Sequence, residues 1–405
     1  MTRRGIALFC ALAAAMCLAS PSRAGVWGAQ PVIGVVADYY TNPALINIPN
    51  TAESHGDLLL DAPTTYVADA YKLSILPSFR VSNAQGYSFL DSNYEHLNVS
   101  NELDTPRGSL ILTGALARDS SLSHDYLLNG STGVRRDSVL ADLAWERQFT
   151  ERLDLHTDAS WTRDHYGQAA GTATLTDYKY ASISPTLSWS QSERTKLTVS
   201  ASVGRYNSLD GATQSTNANL QLGFVKQLSE IWTLSASAGY SRADNRDSFT
   251  EDALEFTPSG IIIVPIPITL KSTQTGSVYS FTLDHRTSLV TLTATASRQL
   301  APTGFAFLSR EELYELKATY TPTERWTLSG DLRRVNYSLP QTPSASTNLN
   351  VNNVDVSAAW QWTEHWTSTV TATHVIERYG SPKLRIDSTG ISIGLSRRFD
   401  WKSFQ

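Results

Sequence analysis

The fold is decided by a stretch of sequence at residues 323–333, which reads Thr-Glu-Arg-Trp-Thr-Leu-Ser-Gly-Asp-Leu-Arg. A short polar turn, Thr323-Glu324-Arg325, is followed by residues of two alternating kinds. From residue 326 onward the even positions carry Trp, Leu, Gly and Leu, and the odd positions carry Thr, Ser, Asp and Arg. Because successive side chains of a β-strand point to opposite faces, this pattern predicts a strand with one apolar and one polar face.

The same unit recurs along the chain. Short polar turns of this kind lie at residues 150–152, 192–194, 229–230, 323–325 and 363–365. Most of these turns are roughly 40 residues apart, which is about the length of a barrel hairpin with one long loop. A segment of period 2 flanks each turn on both sides. The repeat therefore predicts a series of antiparallel hairpins.

A water-soluble β-sandwich would show the same alternation, but three features favour a transmembrane barrel. The strands implied by the pattern are about 10 to 14 residues long, whereas soluble strands usually have five or six. Short and long connections alternate, as in outer-membrane barrels. Tryptophans lie near the short turns, which predicts an aromatic girdle at one membrane face: Trp145, Trp189, Trp232, Trp326, Trp360, Trp362 and Trp366.

The first 24 residues have the pattern of a secretory signal peptide. Arg3 and Arg4 precede an apolar run, and Ser22-Arg23-Ala24 places small residues at the −3 and −1 positions of a cut after Ala24. Both cysteines, Cys10 and Cys17, lie in this segment. The mature chain is therefore predicted to have no disulfide and no cysteine metal site.

Charge and hydropathy narrow the function classes further. Without its three leader arginines the chain has 30 basic and 38 acidic residues and a net charge of −8, which argues against nucleic-acid binding. After residue 24 the longest apolar run, 261–268, is short and contains two prolines. A membrane span would then have to be a closed barrel, since closure satisfies every backbone group in lipid.

The pattern predicts one all-β domain over residues 25–399, a single transmembrane antiparallel up-and-down β-barrel, with a tail at 400–405. The expected strands are 31–41, 56–67, 71–82, 92–103, 108–118, 137–149, 153–166, 176–190, 195–208, 215–229, 231–243, 274–286, 288–300, 311–322, 325–338, 351–363, 365–378 and 385–399. The count is about 18, with 16 as the alternative if the first hairpin is lost. An even count places both termini in the periplasm.

The last predicted strand ends in an apolar face formed by Ile391, Ile393, Leu395 and Phe399. This face looks like the terminal β-signal that the barrel assembly machinery of the outer membrane recognises. Such signals usually end the chain, whereas Asp400 to Gln405 follow here.

Several motifs together resemble a known family. The repeated Trp-bounded hairpins with Ser/Thr-Glu-Arg turns, the segment Asp38-Tyr39-Tyr40-Thr41-Asn42-Pro43, and the segment Ala117-Arg118-Asp119-Ser120-Ser121-Leu122 are similar to a family of β-barrel porins of Gram-negative bacteria. Many members are encoded near exopolysaccharide or protein-sorting gene clusters. The resemblance implies an outer-membrane location, with lipid, lipopolysaccharide and the assembly machinery as partners. The family has no catalytic residue set to carry over.

Barrels of 16 to 18 strands leave an aqueous lumen, and the polar strand faces predict its lining. The candidate lining residues are Asp142, Glu146, Asp154, His156, Asp158, Lys196, Asp284, Glu315, Lys317, Asp331, Arg333 and Asp355. Acids outnumber bases among them, which predicts a mild cation preference. The alternative is that these residues only solvate the interior or pair across strands.

The same residues bear on the choice between a channel and an enzyme. Asp154, His156 and Asp158 share one strand face and could serve acid–base chemistry or bind a metal, but strand alternation alone brings such residues together. We expect no enzyme and no cofactor.

The expected function is passive passage of small hydrophilic solutes or exported polysaccharide. The alternatives are a non-conducting scaffold barrel for surface assembly and, third, an outer-membrane hydrolase.

The segment 244–272 combines apolar residues 261–268 with Glu251, Asp252 and Glu255. Three arrangements are open for it. In the first, the segment extends the strands above the membrane. In the second, it folds inward and narrows the pore. In the third, it contacts a partner at the cell surface.

Overall fold

A computed structural model describes residues 25–42, 52–83, 93–120, 134–167, 175–257, 260–303, 308–338, 348–379 and 384–402. These ranges include most of the predicted domain at 25–399 and the first residues of the predicted tail, and the predicted signal peptide at 1–24 lies outside the described residues. Within these ranges, no helix has the length and apolar character needed to cross a membrane.

The described residues form eighteen strands. In chain order they are β1 (Val26–Ala29 and Val32–Tyr40), β2 (Glu53–Asp61 and Thr64–Ala68), β3 (Tyr71–Ser82), β4 (Tyr94–Thr105), β5 (Gly108–Ser120), β6 (Arg135–Thr150), β7 (Leu153–Tyr166), β8 (Tyr178–Ser192), β9 (Thr195–Ser208), β10 (Thr213–Gln227), β11 (Trp232–Thr257), β12 (Gly260–Arg286), β13 (Val290–Pro302), β14 (Leu308–Thr323), β15 (Trp326–Ser338), β16 (Asn348–Gln361), β17 (Trp366–Tyr379) and β18 (Leu384–Arg398 and Trp401–Lys402).

The strands close into one antiparallel barrel. Each strand pairs with the next along the chain, and the first strand pairs with the last, from Val32 opposite Arg398 to Tyr40 opposite Gly390. The predicted up-and-down barrel of about 18 strands is confirmed. The alternative of 16 is wrong, because β1 and β2 pair with each other and with their neighbours in the ring.

The short turns are held by a hydroxyl at their first residue. The Thr150 hydroxyl accepts hydrogen bonds from the backbone N–H groups of Arg152 and Leu153 at 3.3 and 3.0 Å. Thr323 and Thr363 do the same in their own turns. A Ser or Thr side chain in this position mimics a backbone turn, which explains why the Thr-Glu-Arg motif marks the places where strands reverse.

The outer face of the barrel is apolar and exposed. Leu222, Val356 and Ile393 have 64%, 55% and 57% of their surface exposed, although they are large aliphatic residues. Trp326 and Trp366 are also exposed, beside the short turns. In water such a continuous apolar surface would cause aggregation, whereas in a membrane it contacts lipid. The exposed band is therefore the expected surface of a membrane-spanning barrel.

Two strands are much longer than the others. β11 and β12 pair continuously from Trp232 opposite His285 to Thr257 opposite Gly260. Pairing with β10 stops at Asp247, and pairing with β13 stops at Tyr279. The segment 244–272 thus continues both strands as a paired ribbon beyond their pairing with β10 and β13, which agrees with the first of the three arrangements.

The end of the last strand also differs slightly from expectation. The first segment of β18 ends at Arg398, one residue before Phe399, and the strand resumes at Trp401–Lys402, which lie opposite Ala29 and Gly28 of β1. Backbone pairing therefore continues two residues into the predicted tail. The side chains of Ile391, Ile393, Leu395 and Phe399 are all on the exposed outer face, and their role in assembly stays a prediction.

Candidate functional site

Two regions of the inner surface carry the charged residues of the barrel. The end of the barrel with the short turns is called here the short-turn end, and the end with the long connections is called the mouth. The lower lumen is the inner face between the short turns and the middle of the strands. All twelve sequence-derived candidates occupy inner-face positions there: Asp142, Glu146, Asp154, His156, Asp158, Lys196, Asp284, Glu315, Lys317, Asp331, Arg333 and Asp355, each alternating with outer-face residues of its strand.

On β14–β16 the structure brings several of these residues together. Lys317 Nζ lies 2.8 Å from a carboxylate oxygen of Glu315 and 4.0 Å from one of Asp331. Asp331 is also directly opposite Asp355 on the neighbouring strand. Arg333 lies directly opposite Glu315, so this group holds three acids and two bases and its net charge is −1.

A second group lies on β7 and β9. His156 Nε2 is 3.0 Å from Asp158 Oδ1, and Lys196 Nζ is 3.9 Å from Asp154 Oδ1. Glu146, Asp154 and Lys196 line a polar cavity of about 390 Å³ at the short-turn end. Asp284 of β12 stands apart from both groups and accepts a hydrogen bond from the Thr293 hydroxyl at 2.7 Å.

The lower lumen is accessible to solvent. The side chains of Asp158, Lys196 and Lys317 are 55%, 52% and 56% exposed, although all three point to the inside of a closed ring. Ion pairs this exposed contribute about 0–1 kcal/mol each to stability. These charges therefore remain available to a solute or ion in the lumen.

Nearer the mouth, a second set of inner-face residues forms what we call the upper belt: Asp38, Asp57, Arg80, Asp119, Arg136, Asp164, Tyr178 and Tyr206. Its first part is on β1–β3. Arg80 donates from Nε to Asp57 at 2.7 Å and from Nη2 to Asp38 at 2.8 Å. Both carboxylate side chains are nearly fully buried.

His55 is a further polar neighbour of the Asp38–Asp57 pair. Donor atoms of Asp38, His55 and Asp57 lie within 4.8 Å of one another, close enough for metal ligands. The Arg80 guanidinium already binds both carboxylates, however, so this group is an ion-paired cluster with a histidine beside it.

The second part of the upper belt crosses β5–β8. Arg136 donates from Nε and Nη2 to the two oxygens of Asp119, both at 3.0 Å. Its Nη1 is 3.7 Å from Asp164, which accepts a 2.6 Å hydrogen bond from the Tyr178 hydroxyl. The Arg136 and Asp164 side chains are 8% and 2% exposed. A bidentate ion pair that is this deeply buried, such as Arg136 with Asp119, fixes the geometry of the barrel wall.

The belt ends at a contact that crosses the inside of the barrel. The Tyr206 hydroxyl of β9 donates to the carbonyl oxygen of Thr303, just beyond the end of β13, at 3.3 Å. β10, β11 and β12 lie between these strands in the ring. Thr303 therefore lies inside the ring against β9, although three strands separate β9 from the strand that it follows.

Apolar packing supports the same inward fold. Leu308, the first residue of β14, packs in a buried cluster with Val134, Tyr166, Tyr178 and Tyr206 of the β6–β9 wall. Tyr178 and Tyr206 are stacked, with ring centroids 5.2 Å apart. We call Thr303 and Leu308, the described ends of this connection, the inward tip.

The inward tip packs against one part of the wall. Leu308 and Tyr206, which contact each other inside the ring, are 2% and 0% exposed. In the lower lumen, the side chain of Asp158 is 55% exposed. The inward tip therefore places buried side chains inside the ring near the mouth.

Sequence reasoning missed the upper belt and the inward tip. The alternation that identifies Asp142 and Asp158 also puts Arg136 and Asp164 on the inner face, so it could have found the belt if carried to the strand ends. A signal for the tip was also present. Residues 301–308 read Ala-Pro-Thr-Gly-Phe-Ala-Phe-Leu, which is unusually apolar for a connection exposed to water.

Comparison with known proteins gives matches at the level of solved structures only. No protein-family model matches the chain, and no curated protein does. The outer membrane protein OpdK from Pseudomonas aeruginosa is similar over 92% of this chain and 99% of its own, with 14% identity and a TM-score of 0.45. OpdO from Pseudomonas aeruginosa aligns over 93% and 98%, with 11% identity and a TM-score of 0.47. A BenF-like porin from Pseudomonas fluorescens Pf-5 gives 12% identity and a TM-score of 0.45 over 92% and 99%. These values are too low to transfer a function or site residues to this chain.

Proposed function

We propose that this protein is an outer-membrane channel through which small hydrophilic solutes pass without any bond being made or broken. The first residues of β1 and the last residues of β18 lie at the short-turn end. This end faces the periplasm, as in other single-chain barrels with an even strand number. One observation carries the proposal. Inside a closed ring with an apolar outer band, charged side chains such as Asp158 and Lys317 remain more than half exposed.

The charges of the lower lumen support a preference for cations. Of its twelve candidate residues, eight are Asp or Glu, three are Lys or Arg, and one is His. Acidic linings of this kind raise the local concentration of positive ions. Because several acids are paired with Lys196 or Lys317, we expect the preference to be mild.

The second candidate is a non-conducting scaffold barrel. The inward tip favours it, because Thr303 and Leu308 occupy space at the mouth and bury residues of the opposite wall. The lower lumen favours the channel instead. The width of the mouth therefore decides between the two functions.

Planar-bilayer recording of the purified protein separates the candidates. We expect discrete conductance steps and, in a KCl gradient, a reversal potential displaced toward that of K⁺. A barrel that inserts, as judged by heat-modifiable gel mobility, but shows no conductance steps would refute the channel and favour the scaffold. A reversal potential displaced toward that of Cl⁻ would refute the cation preference alone.

A further inference from the structure

We propose that the β11–β12 ribbon binds organic cations that carry an apolar body. The binding surface is one face of the ribbon, called here the ribbon face, and it consists of Asp247, Phe249, Glu251, Ile266, Ile268 and Leu270. The inference goes beyond the proposed channel function. It does not depend on conduction, since these residues lie at or beyond the last pairs that the two strands form with β10 and β13.

The apolar side of β11 and β12 changes from one face to the other along their length. Within the ring, the outer face carries Tyr240 and Phe281, which are 57% and 40% exposed. In the ribbon, the outer face carries the cross-strand pair Arg246 and Lys271, and the apolar residues lie on the continuation of the inner face. The lipid around the outside of the barrel therefore does not cover the ribbon face.

The ribbon face carries a continuous apolar stripe. Phe249, Ile266 and Leu270 are 47%, 47% and 54% exposed, and Phe249 lies directly opposite Ile268. From Ile266 to Leu270 the stripe is about 13 Å long, at about 3.3 Å per residue of a strand. Contiguous apolar side chains that are exposed outside a membrane mark a binding surface.

Two acids on the same face define the charge of the ligand. Asp247 and Glu251 each lie directly opposite an aliphatic residue of β12. Among the described side chains of the ribbon, the bases Arg246 and Lys271 alternate onto the opposite face. A ligand that joins an apolar body to a positively charged group complements both the stripe and the carboxylates.

The free edge of β12 disfavours a second copy of the chain as the occupant. Pairing of β12 with β13 stops at Tyr279, so the residues before it form an edge strand. Pro265 and Pro267 lie in this edge strand and have no backbone N–H to donate to an added strand. A small ligand on the ribbon face is therefore the occupant that the stripe, the acids and the edge together favour.

The test is a fluorescence titration of the full barrel, refolded in detergent without lipopolysaccharide, with dansylcadaverine. This probe joins a primary ammonium through an alkyl chain to a dansyl group, whose emission increases in apolar surroundings. We expect saturable binding. The anionic analogue dansyl-aminohexanoate has a similar apolar body and should bind at least about threefold more weakly, because the carboxylates repel it.

Two double variants separate the apolar contacts from the ionic ones. Phe249→Ser with Ile268→Ser should weaken dansylcadaverine binding about tenfold or more, because two apolar contacts are lost. Asp247→Asn with Glu251→Gln should weaken it about two- to tenfold and reduce the salt dependence of the affinity. Heat-modifiable gel mobility establishes that each variant is folded.

Ser248→Ala with Thr269→Ala is the matched control. These residues form a cross-strand pair on the outer face of the ribbon, and the change should leave the affinity for dansylcadaverine unaltered.

Three titration results would overturn the proposal: no saturable binding to the unmodified barrel, equal affinities of the apolar variant and the control, or equal binding of the cationic and anionic probes. An unmodified barrel that is dimeric, with a monomeric Phe249→Ser, Ile268→Ser variant, would also overturn it and assign the ribbon face to a second copy. Titration does not need conduction, so a failure here is separate from a failure of the channel in bilayers.

Discussion

The lower lumen and the upper belt face the same interior but hold their charges in different ways. In the lower lumen, Lys317 pairs with Glu315 while more than half of its side chain remains exposed. In the upper belt, Arg136 is 8% exposed and bound through two hydrogen bonds to Asp119. The same alternation places both on the inner face. The face of a residue therefore follows from its position in the strand, whereas its burial depends on the side chains that pack against it inside the ring.

The largest effect should come from removing the buried cation of the upper belt. We expect Arg136→Ala to lower the free energy of unfolding by about 3–5 kcal/mol, because it leaves the carboxylates of Asp119 and Asp164 buried without their partner. The matched change in the lower lumen, Lys317→Ala, should cost no more than about 1 kcal/mol. Urea unfolding of the refolded barrel, followed by heat-modifiable gel mobility, measures both. Equal losses would show that the two regions do not differ as described.

The two faces of one strand give the next effect. Leu328→Arg on β15 puts a charge on the lipid-facing side two residues from Trp326, and should cost between the roughly 0–1 kcal/mol of the membrane interface and the roughly 2–4 kcal/mol of the midplane. Ser329→Arg places it in the lower lumen, where Ser329 now shares a hydrogen bond with Ser357, and should be tolerated. Val199→Arg and Ser200→Arg repeat the comparison on β9. If assembly yields in vivo were the same for each pair, the assigned faces would be wrong.

A smaller effect should separate the two regions by ion selectivity. Asp142→Asn with Asp158→Asn removes two inner-face charges of the lower lumen and should reduce the cation preference in a KCl gradient. Asp38→Asn removes a carboxylate that is buried and bound to Arg80, so it should move the reversal potential less. A larger shift from Asp38→Asn would mean that the upper belt, and not the lower lumen, sets the selectivity.

The sequence was sufficient for the parts of this fold that obey a local rule. The period-2 pattern after Thr323-Glu324-Arg325 predicts which side chains share a strand face, where the strands reverse and that the sheet closes into a barrel. Strand geometry and the turn hydroxyl act within a few residues, so a local pattern carries this information. The limits of β1 and β2 were less clear, since each is interrupted near a proline, Pro31 and Pro63. The predicted strands 231–243 and 274–286 are shorter than the observed β11 and β12 for a related reason, because Pro265 and Pro267 disturb the alternating pattern.

The candidate site was only partly accessible to the same reasoning. Alternation could select inner-face acids but could not show which pairs become buried, as Asp119 and Arg136 do. The contact between Tyr206 and Thr303 joins residues 97 positions apart. No local pattern encodes a contact between two strands that have three other strands between them. Tertiary packing decided that part of the molecule.

We expect the inward tip at the mouth, and not the lower lumen, to limit the passage of solutes. Single-channel conductance of a tip-release variant, Tyr206→Ala with Leu308→Ser, tests it most directly, because this variant removes both described anchors of the tip. Val203→Ala, on the outer face of the same strand β9, is the control. We expect a larger conductance for the tip-release variant and an unchanged conductance for Val203→Ala. A tip-release variant that inserts and conducts no more than the unmodified barrel would contradict the account.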